Sequence, residues 1–295
     1  MNGPPGASYR SLLFVPGDQE GRFDKAFASG ADAVIIDLED AVASERKRPA
    51  REAVARTLHA DRDVAVFVRV NGFSEADCYE DLLAVVRPGL AGVVLPKAEA
   101  GDALRTLDWI VGQLERQRDL RPGSIEMLPL VETARGAEAL AELATATPRV
   151  RRLSFGVADY SLDLGIEQAD DEAGIAFLRA RLVQCSRAAG LAPPVDSVVV
   201  EVRDEERFRE SAGRARALGM RGKLCIHPRQ VPLANEVFAP TLQELDRARA
   251  IVEAFDAASR RGVAALTVGG AFVDAPVAER ARRLLAWSTG RGHAT

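Results

Sequence analysis

Short apolar runs recur along the chain at spacings typical of strands separated by helices. The run from Ala33 to Ile36 has the continuous apolar character of a strand that is covered on both faces. Seven further runs of this kind occur between residues 12 and 226. The pattern therefore predicts eight strands: Leu12–Val15, Ala33–Leu38, Val64–Val70, Gly92–Leu95, Met127–Val131, Leu153–Val157, Val195–Val202 and Leu224–Ile226.

The segments between these runs have helical spacing and are rich in Ala, Arg, Glu and Leu. Strands that alternate with helices predict βαβ units, and eight units over about 215 residues approach the roughly 250 of a (β/α)8 barrel. A doubly wound sheet is the competing fold, but the phosphate motifs G-x-G-x-x-G and G-x-x-x-x-G-K-[ST] are absent from the sequence. We therefore predict an α/β TIM barrel, with helices that include Arg48–Leu58, Asp102–Gln117, Gly136–Ala144 and Gly174–Ala189.

The last 60 or so residues do not continue this alternation. A capping-box pattern at Thr241 opens a helix that runs to about Arg261. Two β-prone runs about Gly269 then predict a hairpin, and a final helix runs through Trp287. We expect a flexible N-terminus at 1–8, a catalytic barrel at 9–232, and a helix-hairpin-helix extension at 233–295 that packs on a neighbouring subunit.

Composition narrows the class of protein. The chain has 295 residues, a net charge of −4 and a pI near 5.6, which gives no reason to expect nucleic acid or an anionic membrane as a partner. No apolar run approaches the roughly 20 residues that span a bilayer, and an apolar signal-peptide core is lacking. Three scattered cysteines favour neither a disulfide framework nor a zinc cluster. We expect a cytoplasmic protein.

Charged side chains concentrate at the predicted ends of the strands, where barrels of this kind carry their chemistry. Asp37, Glu39 and Asp40 follow the second strand within four positions. Such carboxylates repel one another strongly if they ionise side by side in a low-dielectric site, so a cation or a proton must compensate them. The remaining strand ends carry Arg69, Asn71, Lys97, Glu132, Asp159 and His227.

Glu132 and Asp159 stand at the ends of consecutive predicted strands, which are neighbours in a barrel. A strand spacing of about 4.8 Å allows two such carboxylates to share one ion. With oxygen ligands and no His or Cys set, the natural ion is Mg²⁺, which keeps positions open for water and substrate. The alternative is structural, with Glu132 capping a helix and Asp159 paired with an arginine.

Two basic residues complete the predicted site. Arg69 ends the third strand, and its planar guanidinium suits a substrate carboxylate, although a salt bridge with the acids of the second strand is an equal alternative. Lys97 is of the kind that forms a Schiff base in many aldolases. Because a metal site makes an amine electron sink unnecessary, we favour Lys97 as a charge partner of Glu132 or Asp37.

A basic segment enters the helix after the second strand, with Arg46 and Lys47 at its start. Basic runs are usually solvated faces. Here the run lies on the predicted active rim, where it is also suited to the phosphates of a carrier such as coenzyme A. Arg10, before the first strand, and Lys25, in the segment after it, are further candidates for this phosphate patch.

These residues together resemble the citrate lyase beta-subunit and malyl-CoA lyase family along most of the chain. The resemblance implies a TIM barrel that forms a homotrimer or hexamer. It also implies a Mg²⁺ enzyme that cleaves or forms a carbon–carbon bond between an acyl-CoA and a 2-oxo acid. The matching stretches, in chain order, are RSLLFVPG, GADAVIIDLEDAV, VFVRVNG, GVVLPKAE, PLVETARG, FGVADYSLDLG and GKLCIHPRQ.

By the same resemblance, Glu132 and Asp159 hold the metal, and Arg69 holds the carboxylate of the 2-oxo acid. Family members also use an aspartate from the C-terminal segment of an adjacent subunit, within a pattern like G-K-M-I-D-x-P. The nearest match here is Gly270-Ala-Phe-Val-Asp274-Ala-Pro276, which lacks the lysine. Asp274 is therefore the first candidate for proton transfer and Glu39 the second, with Asp37 and Asp40 around the reacting centre.

The resulting hypothesis is a Claisen-type lyase that acts on a 3-hydroxyacyl-CoA such as malyl-, citramalyl- or citryl-CoA. Three alternatives stay open. The alternatives are a malyl-CoA thioesterase, an aldolase of free 2-oxo acids, and a citrate lyase beta subunit that depends on an acyl-carrier partner. The sequence does not fix the acyl group, because a methyl or a hydrogen at one carbon is distinguished by pocket shape.

Overall fold

The computed structural model describes residues 9–58, 62–167 and 172–288, so the N-terminus predicted at 1–8 lies outside the described residues. The chain divides into two compact units, the first ending at Phe238 and the second beginning at Ala239. The domain boundary predicted between 232 and 233 falls within the helix Gln230–Phe238. This helix belongs to the first unit.

Eight parallel strands of the first unit close into a barrel, in which each strand pairs with the next and the last pairs with the first. The predicted TIM barrel is confirmed. The strands are β1 (Ser11–Pro16), β2 (Ala33–Asp37), β3 (Ala65–Arg69), β4 (Gly92–Leu95), β5 (Glu126–Val131), β6 (Ser154–Phe155), β7 (Val195–Asp196) and β8 (Gly222–Cys225).

Side chains alternate along each strand between the barrel interior and the surrounding helices. In β2, Ile35 belongs to the interior cluster, whereas Ile36 packs outward in the larger cluster beneath the helices. Asp37 follows with the parity of Ile35 and so faces the interior at the carboxyl end of the strand. In β3, Phe67 faces the interior and Arg69 follows with the same parity. The register pairs Asp37 with Arg69 directly.

The amino end of the barrel is closed by a buried ion pair and an aromatic ring. Nε of Arg152 donates to Oε1 of Glu126 at 2.6 Å. The Arg152 guanidinium carbon lies 4.4 Å from the ring centroid of Tyr9, which packs edge-on against Phe67. Burial and the nearby Glu126 charge raise the pKa of Tyr9 to about 12. Because these contacts fill the amino end of the barrel, a substrate site is expected at the carboxyl end of the strands, which we call the mouth of the barrel.

The helices of the first unit form a layer around the barrel, with short 3-10 turns at Glu20–Arg22 and Ser44–Arg46. In the described part of the chain, no helix is both long enough and apolar enough to cross a bilayer. The helices are α1 (Phe23–Phe27), α2 (Lys47–Thr57), α3 (Asp77–Val85), α4 (Gly101–Gln117), α5 (Ala134–Glu138), α6 (Leu140–Thr145), α7 (Val157–Leu164), α8 (Ala173–Ala188), α9 (Glu205–Leu218) and α10 (Gln230–Phe238).

A buried polar cluster anchors the start of α8 to the outer side of the barrel. Arg179 donates to Asp196 through Nε at 2.8 Å and through Nη2 at 3.0 Å, and its Nη1 donates to Glu172 at 2.6 Å. Ser211 Oγ donates to the other Glu172 oxygen at 2.7 Å, and Lys223 donates to Asp196. Burial opposes the charge of Glu172, but Arg179 and Ser211 outweigh it and lower its pKa to about 2.

Three predicted elements differ from the structure. The run Val195–Val202 forms strand only at its first two residues, because Ser197 Oγ then accepts from Val157 N at 2.8 Å and Val199 O accepts from the Gln230 side chain at 2.8 Å. These partners take the chain out of the ladder. The strand predicted to reach Val157 ends at Phe155, and Val157 is instead the first residue of α7. The helix predicted at Gly136–Ala144 is divided into α5 and α6.

The second unit is the predicted helix-hairpin-helix. It contains α11 (Leu242–Ser259), β9 (Leu266–Val268), β10 (Ala271–Val273) and α12 (Ala275–Ser288), and Thr241 forms the predicted capping box with Glu244. Both hairpin glycines have positive φ, 55° at Gly269 and 79° at Gly270, as a two-residue turn of this kind requires. The unit has its own core of Ala248, Ile251, Phe255, Val273, Ala278 and Ala281.

Candidate active site

Asp37 and Arg69 form an ion pair in the mouth of the barrel. Nε of Arg69 donates to Oδ1 of Asp37 at 2.7 Å and Nη2 donates to Oδ2 at 2.6 Å, so the two groups meet through parallel bonds. The guanidinium carbon also lies 5.2 Å from the ring centroid of Phe14. Of the two sequence interpretations of Arg69, the structure shows the salt bridge with the acids of β2.

Glu39 and Asp40 have different environments. Glu39 is buried, its Oε2 lies 2.8 Å from Arg69 Nη1, and its Oε1 accepts from Lys97 Nζ at 2.8 Å. Burial raises the pKa of Glu39, and the two cations only partly offset this effect. The Asp40 side chain is 56% exposed, and its carboxylate lies 3.9 Å from Lys97 Nζ and 4.0 Å from Arg69 Nη1. Cations therefore compensate the acids after β2.

Lys97 is an ammonium at neutral pH. Burial alone lowers its pKa, but the hydrogen bond with Glu39 and the charge of Asp40 outweigh burial and raise the pKa to about 12. A protonated amine is a poor nucleophile, which disfavours the Schiff base. The predicted charge partners were Glu132 and Asp37. The Glu132 charge does help to raise the pKa of Lys97, but Nζ donates to Glu39, and Glu132 accepts the backbone N–H of Lys97.

Glu132 follows β5 and is 2% exposed. Its Oε2 accepts from the backbone N–H of Lys97 at 2.9 Å. Burial is the main effect that raises the pKa of Glu132 to about 7. The charges of Glu39 and Asp159 also raise this pKa, whereas the hydrogen bond from the Lys97 N–H and the charge of Arg69 lower it. A Cβ at position 156 would stand 2.3 Å from Glu132 Oε1, so Gly156 leaves the space that this carboxylate occupies.

Asp159 lies in the first turn of α7, directly after β6, and is half-buried. Its charge contributes to the raised pKa of Glu132, which means that the two carboxylates are near each other. A buried carboxylate beside a second acid favours a bound cation. In the described ranges no group of three or more Asp, Glu, His or Cys side chains is arranged to hold a metal. Two carboxylates and several waters are the ligand set that Mg²⁺ takes, so the residues fit this ion.

A second layer of polar groups supports the acids after β2. Asn71 is fully buried and donates through Nδ2 to Leu38 O at 3.1 Å and to Asp81 Oδ2 at 2.6 Å. Asp81 also accepts from the Asn71 backbone N–H at 2.9 Å. Sequence reasoning missed Asp81, although its position in the apolar stripe of α3 between Cys78 and Leu82 is a signal for a buried polar role.

The structure separates the residues of the predicted phosphate patch. Lys25 is exposed on α1, and Arg46 is largely exposed with Nε 3.9 Å from Asp18. The other two residues have partners within the protein. Lys47 is mostly buried and donates to Asn71, so it supports the site from within. Arg10 precedes β1, at the opposite end of the barrel, and pairs with Asp32 at 2.8 and 2.9 Å.

Asp274 belongs to the second unit, immediately before α12. Its Oδ1 accepts from the Val277 backbone N–H at 3.1 Å, and its carbonyl accepts from Ala278 N at 2.9 Å. Asp274 is therefore the N-cap of this helix. Its predicted role in proton transfer stays a prediction.

The first unit thus has the mouth of a (β/α)8 barrel lined by two carboxylates suited to a divalent cation and by acids paired with Arg69 and Lys97. This combination is typical of a metal-dependent aldolase or lyase. Residues 10–228 match the family model described as HpcH/HpaI aldolase/citrate lyase. The chain belongs to this family, and the predicted class, a carbon–carbon lyase, is confirmed.

Individual relatives match nearly the whole chain. A citrate lyase subunit beta-like protein of Deinococcus radiodurans is 40% identical over 291 residues, covering 97% of this chain and 99% of the relative. An L-malyl-CoA/beta-methylmalyl-CoA lyase of Cereibacter sphaeroides (strain ATCC 17029) is 32% identical, with 92% of each chain covered. The solved structure of CitE from Mycobacterium tuberculosis, in complex with magnesium, acetoacetate and coenzyme A, is 33% identical with a TM-score of 0.78. That match covers 96% of this chain and 99% of CitE.

Proposed function

We propose that this protein is a Mg²⁺-dependent lyase that cleaves, or in reverse forms, a 3-hydroxyacyl-CoA, giving an acyl-CoA and a 2-oxo acid. The observation that carries the proposal is the buried Glu132 carboxyl, with a pKa of about 7, beside Asp159 in a mouth lined by Arg69, Glu39 and Lys97. The names of the relatives support the same chemistry, since one is a malyl-CoA lyase and the CitE structure contains coenzyme A and a 3-oxo acid.

Glu132 and Asp159 are the residues that hold the cation. When bound, Mg²⁺ supplies Lewis acidity, which lowers the pKa of a substrate hydroxyl and polarises a 2-oxo carbonyl. The magnesium in the CitE structure supports this assignment. Lys97 contributes to the site of the cation by donating its backbone N–H to Glu132.

Arg69 and Lys97 are placed to bind the carboxylate of the 2-oxo acid. The Arg69 guanidinium has more N–H groups than its contacts with Asp37 and Glu39 use, and it lies in the mouth of the barrel. Its position is fixed by Asp37, which occupies both Nε and Nη2. Because the salt bridge pre-orients the guanidinium, the substrate does not have to order this long side chain on binding.

In the cleavage direction, a carboxylate removes the proton of the 3-hydroxyl group, and the bond between the 2- and 3-carbons of the acyl chain breaks. The bonding electron pair passes to the thioester, which leaves as an enolate and takes a proton at carbon to become the acyl-CoA. Asp274 is our first candidate for the proton-transfer group. Glu39 is the second, since its raised pKa suits a group that exchanges protons.

Lys25 and Arg46 are the remaining candidates for the phosphates of coenzyme A. Both are exposed and lie in the segments that follow β1 and β2, at the active end of the barrel. The homotrimer or hexamer implied by the resemblance is part of the same proposal, with the Asp274 segment of one subunit serving a neighbour.

The decisive assay offers the purified protein Mg²⁺ and malyl-, citramalyl- or citryl-CoA separately. Any 2-oxo acid is trapped as its hydrazone while free thiol is measured. We expect hydrazone and acyl-CoA without free thiol, and the most active substrate names the acyl group. Free thiol without hydrazone would instead establish a thioesterase. Neither signal from the folded protein, followed by activity on adding an acyl-carrier protein, would establish a dependent subunit.

The metal assignment is tested by Glu132→Gln, which keeps an oxygen acceptor for the Lys97 N–H but removes the charge. We expect Mg²⁺-dependent turnover to fall at least 100-fold, because a neutral amide is a weak ligand for this hard cation. Glu99→Gln is the matched control, since Glu99 lies in the segment after the neighbouring strand β4 and accepts from Thr133 Oγ1 at 2.8 Å. Full activity of the Glu132 variant would show that this carboxylate does not hold the metal.

A further inference from the structure

The turn after β4 contains one residue more than the barrel ladder needs. In the regular register, Leu95 pairs with Pro129, which would bring Lys97 opposite Val131. The residue opposite Val131 in a parallel ladder donates its N–H to Leu130 O. Ala98, not Lys97, makes this bond, at 3.1 Å. The extra residue is accommodated as a bulge, a feature that often occurs beside active sites.

Lys97 has the backbone conformation that absorbs this residue. Its φ is 48°, in the left-handed region that non-glycine residues seldom adopt. The chain is fixed on the far side of the bulge, because Ala98 is buried and a Cβ at Gly136 would stand 2.5 Å from Ala98 O. Lys97 therefore lies between the end of β4 and the tightly packed Ala98, and both neighbours maintain its left-handed conformation.

The bulge releases one backbone donor from the ladder. Since Ala98 occupies Leu130 O, the N–H of Lys97 is free to point elsewhere, and it donates to Glu132 Oε2 at 2.9 Å. The side chain of the same residue extends past the end of β3 and donates to Glu39, after β2, at 2.8 Å. One residue thus contacts the acid after β5 through its backbone and the acid after β2 through its ammonium.

We infer that Lys97 is a positioning residue whose left-handed bulge orients the Glu132 carboxylate for the cation, independently of its ammonium group. The inference rests on the proposed function, in which Glu132 is a metal ligand. Groups that orient a ligand by hydrogen bonding typically change metal affinity by about 10- to 100-fold when they are lost. The backbone of Lys97 therefore contributes to cation binding, and its side chain contributes to the charge balance of Glu39.

Two substitutions separate the backbone from the side chain. Lys97→Gly removes the ammonium but favours the left-handed conformation, so the N–H stays on Glu132. Lys97→Val also removes the ammonium, but a β-branched residue is strongly disfavoured at this φ. Lys97→Met is a third variant, with the length of lysine, no charge and a backbone preference close to that of lysine.

The readout is the affinity for Mn²⁺, a paramagnetic substitute for Mg²⁺, measured without substrate by electron paramagnetic resonance of the free ion. We expect Lys97→Gly and Lys97→Met to bind at least as tightly as the parent protein, because a nearby positive charge is lost. We expect Lys97→Val to bind at least tenfold more weakly than Lys97→Gly, with both variants folded by circular dichroism. If Lys97→Val does not fold, equal or tighter binding by Lys97→Gly and Lys97→Met still supports the inference, and weaker binding by Lys97→Gly overturns it.

Failure of the inference and failure of the proposed function give different results. If the parent protein binds Mn²⁺ and Glu132→Gln does not, the metal assignment stands, and equal affinities of Lys97→Gly and Lys97→Val overturn the positioning role alone. If Glu132→Gln binds Mn²⁺ as tightly as the parent protein, the metal assignment itself is wrong and the inference falls with it.

Discussion

The salt bridge between Asp37 and Arg69 gives the sharpest prediction about how this site is held together. Replacing Asp37 by Asn keeps the size of the side chain but places an amide N–H₂ where Arg69 now finds a carboxylate oxygen. Arg69 would keep Glu39 at 2.8 Å and the more distant Asp40 at 4.0 Å as anionic partners. Breaking a buried pair in this way costs about 3–5 kcal/mol. Since Glu39 still compensates part of the charge, we expect the lower end, about 3 kcal/mol.

Asp40→Asn is the matched control, because it makes the same chemical change three residues further along the chain, in the loop after β2. The Asp40 side chain is 56% exposed and its closest cations lie 3.9 and 4.0 Å away. Exposed pairs of this kind contribute about 0–1 kcal/mol, so we expect a change below about 0.5 kcal/mol. The two variants differ in burial and in contact distance, and share the charge change.

Both stabilities are measured by urea unfolding at neutral pH, followed by circular dichroism, with the slope of the transition compared to show that the same surface is exposed. Kinetics on the best CoA substrate complete the test, and we expect KM to rise in Asp37→Asn because Arg69 is no longer pre-oriented. A loss of less than about 1 kcal/mol in Asp37→Asn, or an equal loss in both variants, would refute the claim that this salt bridge organises the mouth of the barrel.

Two further predictions concern acids outside that pair. Because the pKa of Glu172 is lowered to about 2 in the folded protein, the stability it contributes is fully present above its ordinary pKa and is lost as the pH falls through about 2. Glu172→Gln should therefore be less stable than the parent by up to about 3 kcal/mol at pH 6, and the difference should shrink towards pH 2 in urea unfolding; a pH-independent difference would contradict this. Asp274→Asn keeps a good N-cap for α12 but removes the carboxylate, so we expect unchanged thermal stability and a loss of turnover of about 100-fold or more. Full activity would reduce Asp274 to its capping role, and a lowered melting temperature would show that the cap needs the charge.

The barrel was predictable from the sequence because its strands are buried on both faces and are bounded by turns. Continuous apolar runs such as Ala33–Ile36 show no helical period, so they are recognised as strands, and β2 ends at the acid that directly follows this run. The run Val195–Val202 shows the limit of this signal. It is rich in valine, but its backbone leaves the ladder where Ser197 Oγ accepts from Val157 N and Val199 O accepts from the side chain of Gln230, which are both distant in sequence.

It was harder to predict which charged residues pair with one another than to predict which residues lie in the site. Strand-end position brings Asp37, Glu39, Lys97 and Glu132 to one rim, and the structure places all four in its mouth. Which cation pairs with which acid depends on the direction in which each side chain points and on the local backbone conformation. Neither can be deduced from the residue types alone. Lys97 was expected to place its ammonium beside Glu132 or Asp37, yet a bulge turns its N–H to Glu132 and leaves the ammonium to Glu39.

Lys47 and Arg10 also show that the partner of a charged residue is hard to predict from its position in the sequence. A basic residue near a rim is equally compatible with binding a phosphate and with balancing a buried acid, and the choice depends on what lies beneath it. Beneath Lys47 lies the chain of hydrogen bonds from Asp81 through Asn71 to Leu38 O, which fixes the backbone between Asp37 and Glu39. Lys47 therefore supports the position of these acids, and of the four residues predicted to bind the phosphates, Lys25 and Arg46 are the two that are exposed.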